Sequence, residues 1–348
     1  MTDRVLIVGA GAIGGVTAAR LTRAGCDVTV LDAHVEHARL MTDPGLLFDE
    51  LGTESLVALN AVSSADALVG PFDFALVFLK APYIEVALSP LLERGLVEHY
   101  VSFGNGLVQQ RVLEVVGAER FMVGIVEWGA TNLGPGHVRQ TTVAPFFVGE
   151  SDGTVTARLE RLARVLEHAG DVKMSTDVYG QVWAKLLLNS TFSGLGAVSG
   201  MVYADVMREP HGHELAFALW TEGHRVASTL GVTLDNVAGV NADRLVVRDD
   251  SDVPGAEEAL AELMARLGPT KASMLQDLER GAVTEVDVIN GGVVLEASRL
   301  GLAAPLNQGV VDLVHSCEAG TRSPGPDALD VLHQILVQQR NPHQQGKR

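Results

Sequence analysis

The chain has 348 residues, 47% of them hydrophobic, which is enough for about two domains with buried cores. Its formal net charge of −17 argues against nucleic acid and anionic membranes as partners, because carboxylates repel phosphate groups. The two cysteines are too few for a disulfide framework, and no apolar run is long enough to span a bilayer. We therefore expect a protein of a reducing compartment, the cytoplasm.

Short apolar runs alternate with helical patterns over residues 1–175. The candidate strands lie at 5–8, 27–31, 74–78, 100–102, 121–125 and 145–149, with an extended piece at 173–177, and the clearest helices lie at 13–24 and 155–169. Continuous apolar runs are typical of buried parallel strands, and their alternation with helices indicates an α/β sheet. The sequence therefore predicts a mainly parallel sheet in an N-terminal domain.

Helical patterns dominate from residue 176 to about 325. The predicted helices lie at 178–195, 213–230, 256–267 and 284–300, and strand candidates are few. We therefore predict an all-helical C-terminal domain over 176–325. Residues 326–348 are predicted to be a tail, and its polar end from residue 341 on is expected to be disordered.

A glycine-rich motif directly follows the first candidate strand and opens a helix. It is the G-x-G-x-x-G run Gly9, Ala10, Gly11, Ala12, Ile13 and Gly14. Gly9 permits a tight turn, Gly11 lets the backbone approach a pyrophosphate, and Gly14 allows close packing of helix on strand. The helix N-terminus then offers N–H groups to the phosphates. This context predicts a Rossmann dinucleotide-binding domain, although a flavin dinucleotide would use a similar motif.

Asp32 ends the second candidate strand. A carboxylate at this place accepts hydrogen bonds from the adenosine ribose and repels a 2′-phosphate, which favours NAD(H) and leaves NADP(H) open. The alternative is a glycine-rich turn beside an exposed aspartate. His34, His37 and Arg39 follow, and we expect them at the surface.

Lys185 and Asn189 are four residues apart in a predicted helix, so they share a face, and Ser193 extends the same row. Their neighbours are apolar. Apolar surroundings lower the pKa of an ammonium group, which suits a general acid for the reduction of a ketone. The alternative is an amphipathic lysine whose stem lies on a core helix and whose ammonium reaches water.

The segment 284–291 reads TEVDVING. Thr284 is expected to cap a helix that runs to residue 300, with Gly301 as its stop. Glu285 and Asp287 would then lie in the first turn, where carboxylates interact favourably with the helix dipole. That interaction alone would be a sufficient structural reason for both residues.

Taken together, these motifs resemble those of the ketopantoate reductase (2-dehydropantoate 2-reductase) family, over residues 5 to about 314. The matching blocks are the glycine motif, V-x-x-K-A with Lys80, Asn105-Gly106, W-x-K-L-x-x-N at 183–189, S-M-x-Q-D to N-G at 273–291, and G-x-x-x-P-x-N at 301–307. Gly104 stands where the family usually has Gln before the Asn-Gly turn. Unrelated Rossmann enzymes do not share the last two blocks.

The resemblance implies an NAD(P)H-dependent, cytoplasmic, homodimeric reductase that converts 2-dehydropantoate to pantoate, with the nicotinamide in a cleft between two domains. It implies Lys185 as the general acid and Glu285 as its catalytic partner. The implied substrate-binding residues are Asn105, Asn189, Ser193 and Ser273, and Lys80 and Asn105 are implied near the cofactor.

Ser193 stands where many family members carry a second asparagine, which leaves another 2-keto or hydroxy acid open as substrate. One alternative function is therefore an NAD-dependent dehydrogenase of a different hydroxy acid. Another is a dinucleotide-binding sensor without turnover. The set of Lys185, Asn189 and Glu285 favours an enzyme, and the sequence predicts no metal site.

Overall fold

The computed structural model of the chain describes residues 3–340, which form two compact units. The first unit contains the residues up to Gly104 and Val108–Val178, and the second contains Asn105–Leu107 and the residues from Tyr179 on. No pattern in the sequence predicts that the three residues Asn105–Leu107 belong to the second unit. The expected disorder from residue 341 on lies outside the described residues.

The first unit is built on two sheets. Its strands are β1 (Arg4–Val8), β2 (Asp27–Leu31), β3 (Leu46–Glu50), β4 (Thr53–Val57), β5 (Asn60–Val62), β6 (Phe72–Val77), β7 (Val97–Ser102), β8 (Phe121–Val126), β9 (Ala130–Gly134), β10 (His137–Gln140), β11 (Phe146–Gly149) and β12 (Val172–Met174). Eight of them form one sheet in the order β12-β11-β8-β7-β6-β1-β2-β5, in which only β8 and β11 pair antiparallel. The predicted mainly parallel sheet is confirmed.

Burial on both faces explains why the sequence revealed this sheet. Leu6 and Ile7 are neighbours on β1, so their side chains point to opposite faces, and both are fully buried. Phe74, Ala75 and Leu76 on β6 are likewise fully buried. Central strands of this kind must be apolar throughout, which produces the continuous runs seen in the sequence.

The second sheet was not predicted. It has four strands in the order β4-β3-β10-β9, with β3 and β10 parallel and the outer pairs antiparallel. The edge strands β4 and β9 are short and mostly solvent-accessible. They therefore lack the apolar runs by which the strands of the large sheet were recognised.

Helices surround the sheets of the first unit and form the second unit. They are α1 (Ala12–Arg23), α2 (Val35–Leu40), α3 (Ile84–Glu93), α4 (Val108–Val116), α5 (Ala157–Leu166), α6 (Val178–Leu188), α7 (Gly194–Ser199), α8 (Tyr203–Val206), α9 (Gly212–Thr229), α10 (Val253–Leu267), α11 (Ser273–Glu279), α12 (Asn290–Arg299), α13 (Pro305–Glu318) and α14 (Asp327–Arg340). Among residues 3–340, none of these helices has the length and apolar character that crossing a membrane requires.

The second unit is helical, as predicted; its described residues contain no strand beyond an isolated bridge between Val237 and Val240. Its core is centred on aromatic side chains such as Trp220 and Phe192, which are almost fully buried. Helix α14 lies in the segment predicted to be a tail. Its Leu329 and Leu332 belong to the same buried core.

The predicted helix at 178–195 is interrupted. Helix α6 ends at Leu188, and Asn189–Ser193 form a π-helical segment, called the π turn below, before α7 begins at Gly194. A π turn holds one residue more than an α-helical turn and is often found at functional sites. The regular spacing assumed for Ser193 therefore does not hold.

The predicted helix at 284–300 is wrong in its first part. Helix α12 begins only at Asn290, and the Thr284 hydroxyl accepts from the N–H of Val286 at 3.2 Å instead of capping a helix. Glu285 and Asp287 lie in the turn before the helix, so the helix dipole does not explain them. Gly301 follows the end of the helix with φ of +68°, as a stop residue should.

Candidate active site

The glycine-rich turn joins β1 to α1. Gly9 has φ of +87°, and a Cβ on Gly14 would lie 2.0 Å from the Gly9 carbonyl oxygen, so both positions require glycine. A Cβ on Gly11 would meet nothing within 4 Å, which leaves its backbone open to a ligand. Helix α1 begins without a side-chain cap and without an acidic residue in its first turn. These features fit the pyrophosphate of a dinucleotide.

Asp32 follows β2 directly and is partly buried. Its Oδ2 accepts from the N–H of Ala10 at 2.8 Å, and its Oδ1 accepts from the N–H of His34 at 2.9 Å. A carboxylate has about four acceptor positions, so each oxygen retains one for a ribose hydroxyl. Asp32 therefore supports the glycine-rich turn and still has capacity to bind a ribose.

His37 is not the surface residue expected from the sequence, because it is only 4% exposed. Its Nδ1 accepts from the N–H of Gly136 at 2.7 Å, and its Nε2 lies 2.8 Å from the Ala10 carbonyl oxygen. A backbone N–H only donates, so Nδ1 is the acceptor and Nε2 is the donor to the Ala10 carbonyl oxygen. Asp32 thus binds the backbone N–H of Ala10, and His37 binds its backbone carbonyl oxygen. No local pattern could have indicated this role, since Gly136 is 99 residues away.

Lys80 follows β6 and is partly exposed. Its carbonyl oxygen accepts from the N–H of Tyr83 at 3.0 Å in a short 3-10 turn. Because β2, β1 and β6 are parallel neighbours, the glycine-rich turn, Asp32 and Lys80 all lie beyond the carboxyl ends of adjacent strands. Ligands of open parallel sheets bind at this edge.

In the second unit, Lys185 lies partly buried on α6. Its neighbours Trp183, Ala184, Leu186 and Leu187 are at most 4% exposed. Asn189, four residues on, starts the π turn and remains partly accessible. The structure therefore has a lysine and a carboxamide four residues apart where α6 meets the π turn, in mostly apolar surroundings.

A hydroxyl relay holds the carboxamide of Asn189. Ser193, which is 3% exposed, donates from Oγ to Asn189 Oδ1 at 3.4 Å and lies 2.6 Å from the Tyr203 hydroxyl. Ser193 has one hydroxyl hydrogen, so when it donates to Asn189 the hydrogen between Ser193 and Tyr203 comes from Tyr203. Burial raises the pKa of Tyr203, against the effect of its hydrogen bond to Ser193, which keeps it a neutral donor. The sequence analysis missed Tyr203.

Asn105 and Glu285 are brought into contact although 180 residues separate them. Asn105 Nδ2 donates to Glu285 Oε2 at 3.2 Å, and both side chains are partly buried. The backbone is held as well, because the N–H of Leu107 donates to the Val288 carbonyl oxygen at 2.9 Å. A Cβ on Gly106 would lie 2.2 Å from that oxygen, which explains glycine at this position.

Ser273 is the first residue of α11 and is exposed. Helix α11 packs against α7 and the π turn, so Ser273 and Asn189 lie on elements that are in contact. Of the predicted site residues in the second unit, direct hydrogen bonds join Asn105 to Glu285 and Asn189 to Ser193.

One further cluster has metal-ligand chemistry. His211, Glu214 and His333 place possible ligand atoms within 4.8 Å of one another. The two imidazoles, however, stack 3.7 Å apart at 7°, so their in-plane lone pairs are nearly parallel and do not converge on one ion. Glu214 also pairs with Arg340 and with His333. The arrangement has the character of an ion-pair cluster.

Comparison with protein-family models gives two matches. Residues 5–153 match the model "Ketopantoate reductase PanE/ApbA", and residues 177–318 match "Ketopantoate reductase PanE/ApbA C terminal". Together the two models cover most of the chain and correspond to the sheet-containing and the helical parts.

Named relatives and solved structures agree with these matches. The chain is 30% identical to a 2-dehydropantoate 2-reductase of Archaeoglobus fulgidus over 321 residues, covering 91% of this chain and 99% of the relative. It is 28% identical to a 2-dehydropantoate 2-reductase of Mesorhizobium japonicum, over 83% and 90% of the two chains. A PanE/ApbA family ketopantoate reductase from Ralstonia eutropha superposes with a TM-score of 0.78 at 25% identity, covering 91% and 99%. A D-mandelate dehydrogenase with NADH and anilino(oxo)acetate has the same fold, with a TM-score of 0.77 at 23% identity over 91% and 99%.

Proposed function

The chain belongs to the ketopantoate reductase family, and from this premise we propose that it reduces a small branched 2-keto acid at C2, as in the conversion of 2-dehydropantoate to pantoate. It is an NAD(P)-dependent oxidoreductase that acts on CH–OH groups. The substrate and the cofactor preference are the parts of this proposal that need experiment.

The predicted site residues of the second unit each have a role in the proposed reaction. A bound nicotinamide supplies the hydride. Lys185 Nζ donates a proton to the carbonyl oxygen of the substrate as negative charge develops there. Glu285, held by Asn105, orients the ammonium and contacts the substrate. Asn189 and Ser273 donate hydrogen bonds to the substrate carboxylate and hydroxyl groups.

The observation that carries this proposal is the placing of Lys185 one turn before a carboxamide of fixed orientation. Ser193 engages Oδ1 of Asn189. Nδ2 is then the end of the carboxamide directed away from Ser193, and it is a donor suited to a carboxylate. A proton donor and an anion-binding group side by side are what the reduction of a 2-keto acid requires.

We propose NADH as the preferred cofactor. The support is Asp32, whose carboxylate is partly accessible and keeps acceptor positions for ribose hydroxyls. A 2′-phosphate at the same place would meet a negative charge.

A second candidate is a dehydrogenase of a different 2-hydroxy acid. The observation in its favour is Ser193, which stands in place of an asparagine and is engaged with Tyr203 and Asn189. A site built to hydrogen-bond a substrate hydroxyl strongly rejects analogues without that hydroxyl, so the absence of this partner removes a reason to select 2-dehydropantoate over other acids.

A substrate screen tests the proposal. Loss of NADH or NADPH absorbance is followed with a panel of 2-keto acids, and the reverse reaction with the matching 2-hydroxy acids. We expect turnover with a branched 2-keto acid. Cofactor binding without turnover of any acid would favour a sensor and refute the proposed function.

The lysine is tested by Lys185→Ala. Loss of the general acid should lower kcat by about 10²- to 10⁴-fold while the Kd for NADH stays unchanged. Lys173→Ala is the matched control, because Lys173 is an exposed lysine of the first unit whose ammonium lies over the Phe147 ring. Equal kcat in the two variants would contradict the role of Lys185.

The homodimer, the cytoplasmic location and a place in pantothenate biosynthesis remain predictions. Light scattering coupled to size-exclusion chromatography measures the first directly, and a monomer at micromolar concentration would refute it.

A further inference from the structure

A chain of buried hydrogen bonds begins at Glu222 on α9. Its Oε1 accepts from the N–H of Leu306 at 3.1 Å, and its Oε2 accepts from the N–H and the Nδ2 of Asn307 at 2.9 and 2.7 Å. Glu222 is 7% exposed and Asn307 is fully buried. The carboxylate therefore meets three N–H donors at the start of α13, which suits its ionised form.

The chain continues from Asn307 to the π turn. Asn290 Nδ2 donates to Asn307 Oδ1 at 2.9 Å and to the carbonyl oxygen of Ser190 at 2.8 Å. Asn290 and Ser190 are both fully buried. Ser190 directly follows Asn189, so the chain ends at the backbone beside the proposed substrate ligand.

The charge of Glu222 fixes the orientation of the Asn307 amide at one end of this series of bonds, and the Ser190 carbonyl fixes that of Asn290 at the other. A carboxylate only accepts, so Asn307 must turn its NH₂ group towards Glu222 and its oxygen towards Asn290. Asn290 must then turn its own NH₂ group towards Asn307 and Ser190. Reversing either amide would bring two donors or two acceptors face to face in a buried site.

Asn290 shows the cost of this arrangement. Its Oδ1 is buried and has no hydrogen-bond partner among the described residues, while its Nδ2 makes two bonds. Buried polar atoms without a partner are uncommon and need an explanation. Here the explanation is that a flipped Asn290 would place its oxygen against those of Asn307 and Ser190.

The π turn is the element that this donor supports. The N–H of Gly194 bonds to the carbonyl oxygens of Asn189, five residues back, and of Thr191, and not to that of Ser190. The Ser190 carbonyl instead receives the side-chain donor of Asn290. Because π-helical turns are rare and short, a side-chain donor at this carbonyl stabilises the local geometry.

We infer that Glu222 is a positioning residue: acting through Asn307 and Asn290, it holds the Ser190 carbonyl and so fixes the π turn that presents Asn189 to the substrate. The role in substrate binding rests on the proposed function, whereas the role in ordering the π turn does not. Burial raises the pKa of Glu222, and the donors from Asn307 and Leu306 oppose that rise. These hydrogen bonds therefore favour the ionised carboxylate that orients the Asn307 amide.

Glu222→Gln tests the inference, because the side-chain NH₂ group that the substitution introduces must face a hydrogen-bond donor. If it faces Asn307, the Asn307 and Asn290 amides must flip or separate; if it faces Leu306, the N–H of Leu306 at the start of α13 loses its acceptor. We expect amide hydrogen exchange in peptides covering residues 186–196 to accelerate about fivefold to tenfold, from the loss of a buried hydrogen bond. The KM for the keto acid should rise by a similar factor while the Kd for NADH stays constant.

Glu150→Gln is the matched control. Glu150 is 3% exposed and bound by Arg158, but it belongs to the first unit. This variant should lose stability without faster exchange at the π turn. If both variants accelerate exchange there equally, or if Glu222→Gln leaves exchange unchanged, the inference is wrong.

A double substitution gives the rescue. In Glu222→Gln with Asn307→Asp, the amide and the carboxylate change places, and the carboxylate introduced by the second substitution can again accept from Asn290. Exchange at residues 186–196 and the KM should return at least halfway to wild-type values, and no recovery would overturn the proposed direction of the bonds.

Asn290→Ala decides the question if Glu222→Gln does not fold, because it removes only the last donor. Faster exchange at residues 186–196 supports the inference, and unchanged exchange overturns it. The hydrogen-exchange results also separate this inference from the proposed function. If the wild-type protein reduces no 2-keto acid, the proposed function fails while exchange at the π turn still decides the role of Glu222.

Discussion

Replacing Asp32 with asparagine should shift the cofactor preference from NADH towards NADPH. Two unit charges about 4 Å apart repel by ~1 kcal/mol in water and by ~4 kcal/mol near a protein surface. Asp32 is partly exposed at the sheet edge, and solvent screens the charge there, so an intermediate value of about 2 kcal/mol applies to a carboxylate facing a 2′-phosphate. Removing that charge should improve NADPH binding roughly 30-fold.

The same substitution also loosens the glycine-rich turn. Asp32 accepts from the N–H groups of Ala10 and His34 through different oxygens, and asparagine has only one oxygen. One of these bonds is lost, at a cost of about 1 kcal/mol. This cost affects both cofactors equally, so it cancels in the ratio of the Kd for NADPH to the Kd for NADH. The ratio therefore reports the charge at Asp32 together with its hydrogen bonds to the ribose, and both effects shift it towards NADPH.

Fluorescence titrations with both cofactors at one fixed ionic strength measure this ratio. His37→Phe is the control, because it removes the hydrogen bond to the Ala10 carbonyl oxygen without changing the charge at Asp32. It should raise both Kd values by a similar factor and leave the ratio unchanged. A ratio that stays within about threefold of wild type in Asp32→Asn would refute the electrostatic reasoning.

Three further predictions concern the second unit. A double-mutant cycle of Asn105→Ala and Glu285→Gln should give a coupling energy of about 0.5–3 kcal/mol in kcat/KM, and additivity would contradict their joint action. Tyr203→Phe removes the hydroxyl that orients the carboxamide at the π turn, and it should raise the KM for the keto acid about threefold to tenfold. Tyr100→Phe is the control and should leave the KM unchanged, because the buried Tyr100 hydroxyl has no partner among the described residues. Burial raises the pKa of Glu222 above 4.5, so the stability it contributes is fully present below about pH 4.5 and is lost as pH rises through its pKa in the folded protein. Denaturant unfolding from pH 4 to 8 should therefore show wild type losing stability relative to Glu222→Gln as pH rises, and parallel profiles would refute this.

The sequence predicted those features that leave a local pattern. The large sheet was recognisable because strands buried on both faces are continuous apolar runs, and the glycine-rich turn because its conformation excludes side chains at Gly9 and Gly14. The strands β4 and β9 have neither property, since they are short edge strands open to solvent. Local pattern reasoning therefore found one sheet and missed the other.

The turn at 285–289 was mistaken for a helix because its determinants are distant in sequence. Thr284 followed by acidic residues has the composition of a helix start. In the structure, the N–H of Leu107 bonds to the Val288 carbonyl, and the backbone of Gly106 packs against the same oxygen. This contact with a segment far away in the sequence holds the residues before Asn290 in a turn. The error hid the reason for Glu285, which the turn places beside Asn105.

The polar groups of the second unit also bear on how a strongly anionic protein handles an anionic substrate. The carboxamides of Asn105 and Asn189 are uncharged hydrogen-bond donors. They attract a carboxylate at short range and neither repel nor neutralise the carboxylate of Glu285. In the proposed reaction, the ammonium of Lys185 offsets one of the two negative charges of Glu285 and the substrate. When Lys185 gives its proton to the product in the proposed reaction, the nicotinamide that has lost its hydride carries a positive charge in its place. The net charge around the proposed product therefore equals that around the substrate, and the repulsion by a protein of net charge −17 is unchanged by the reaction.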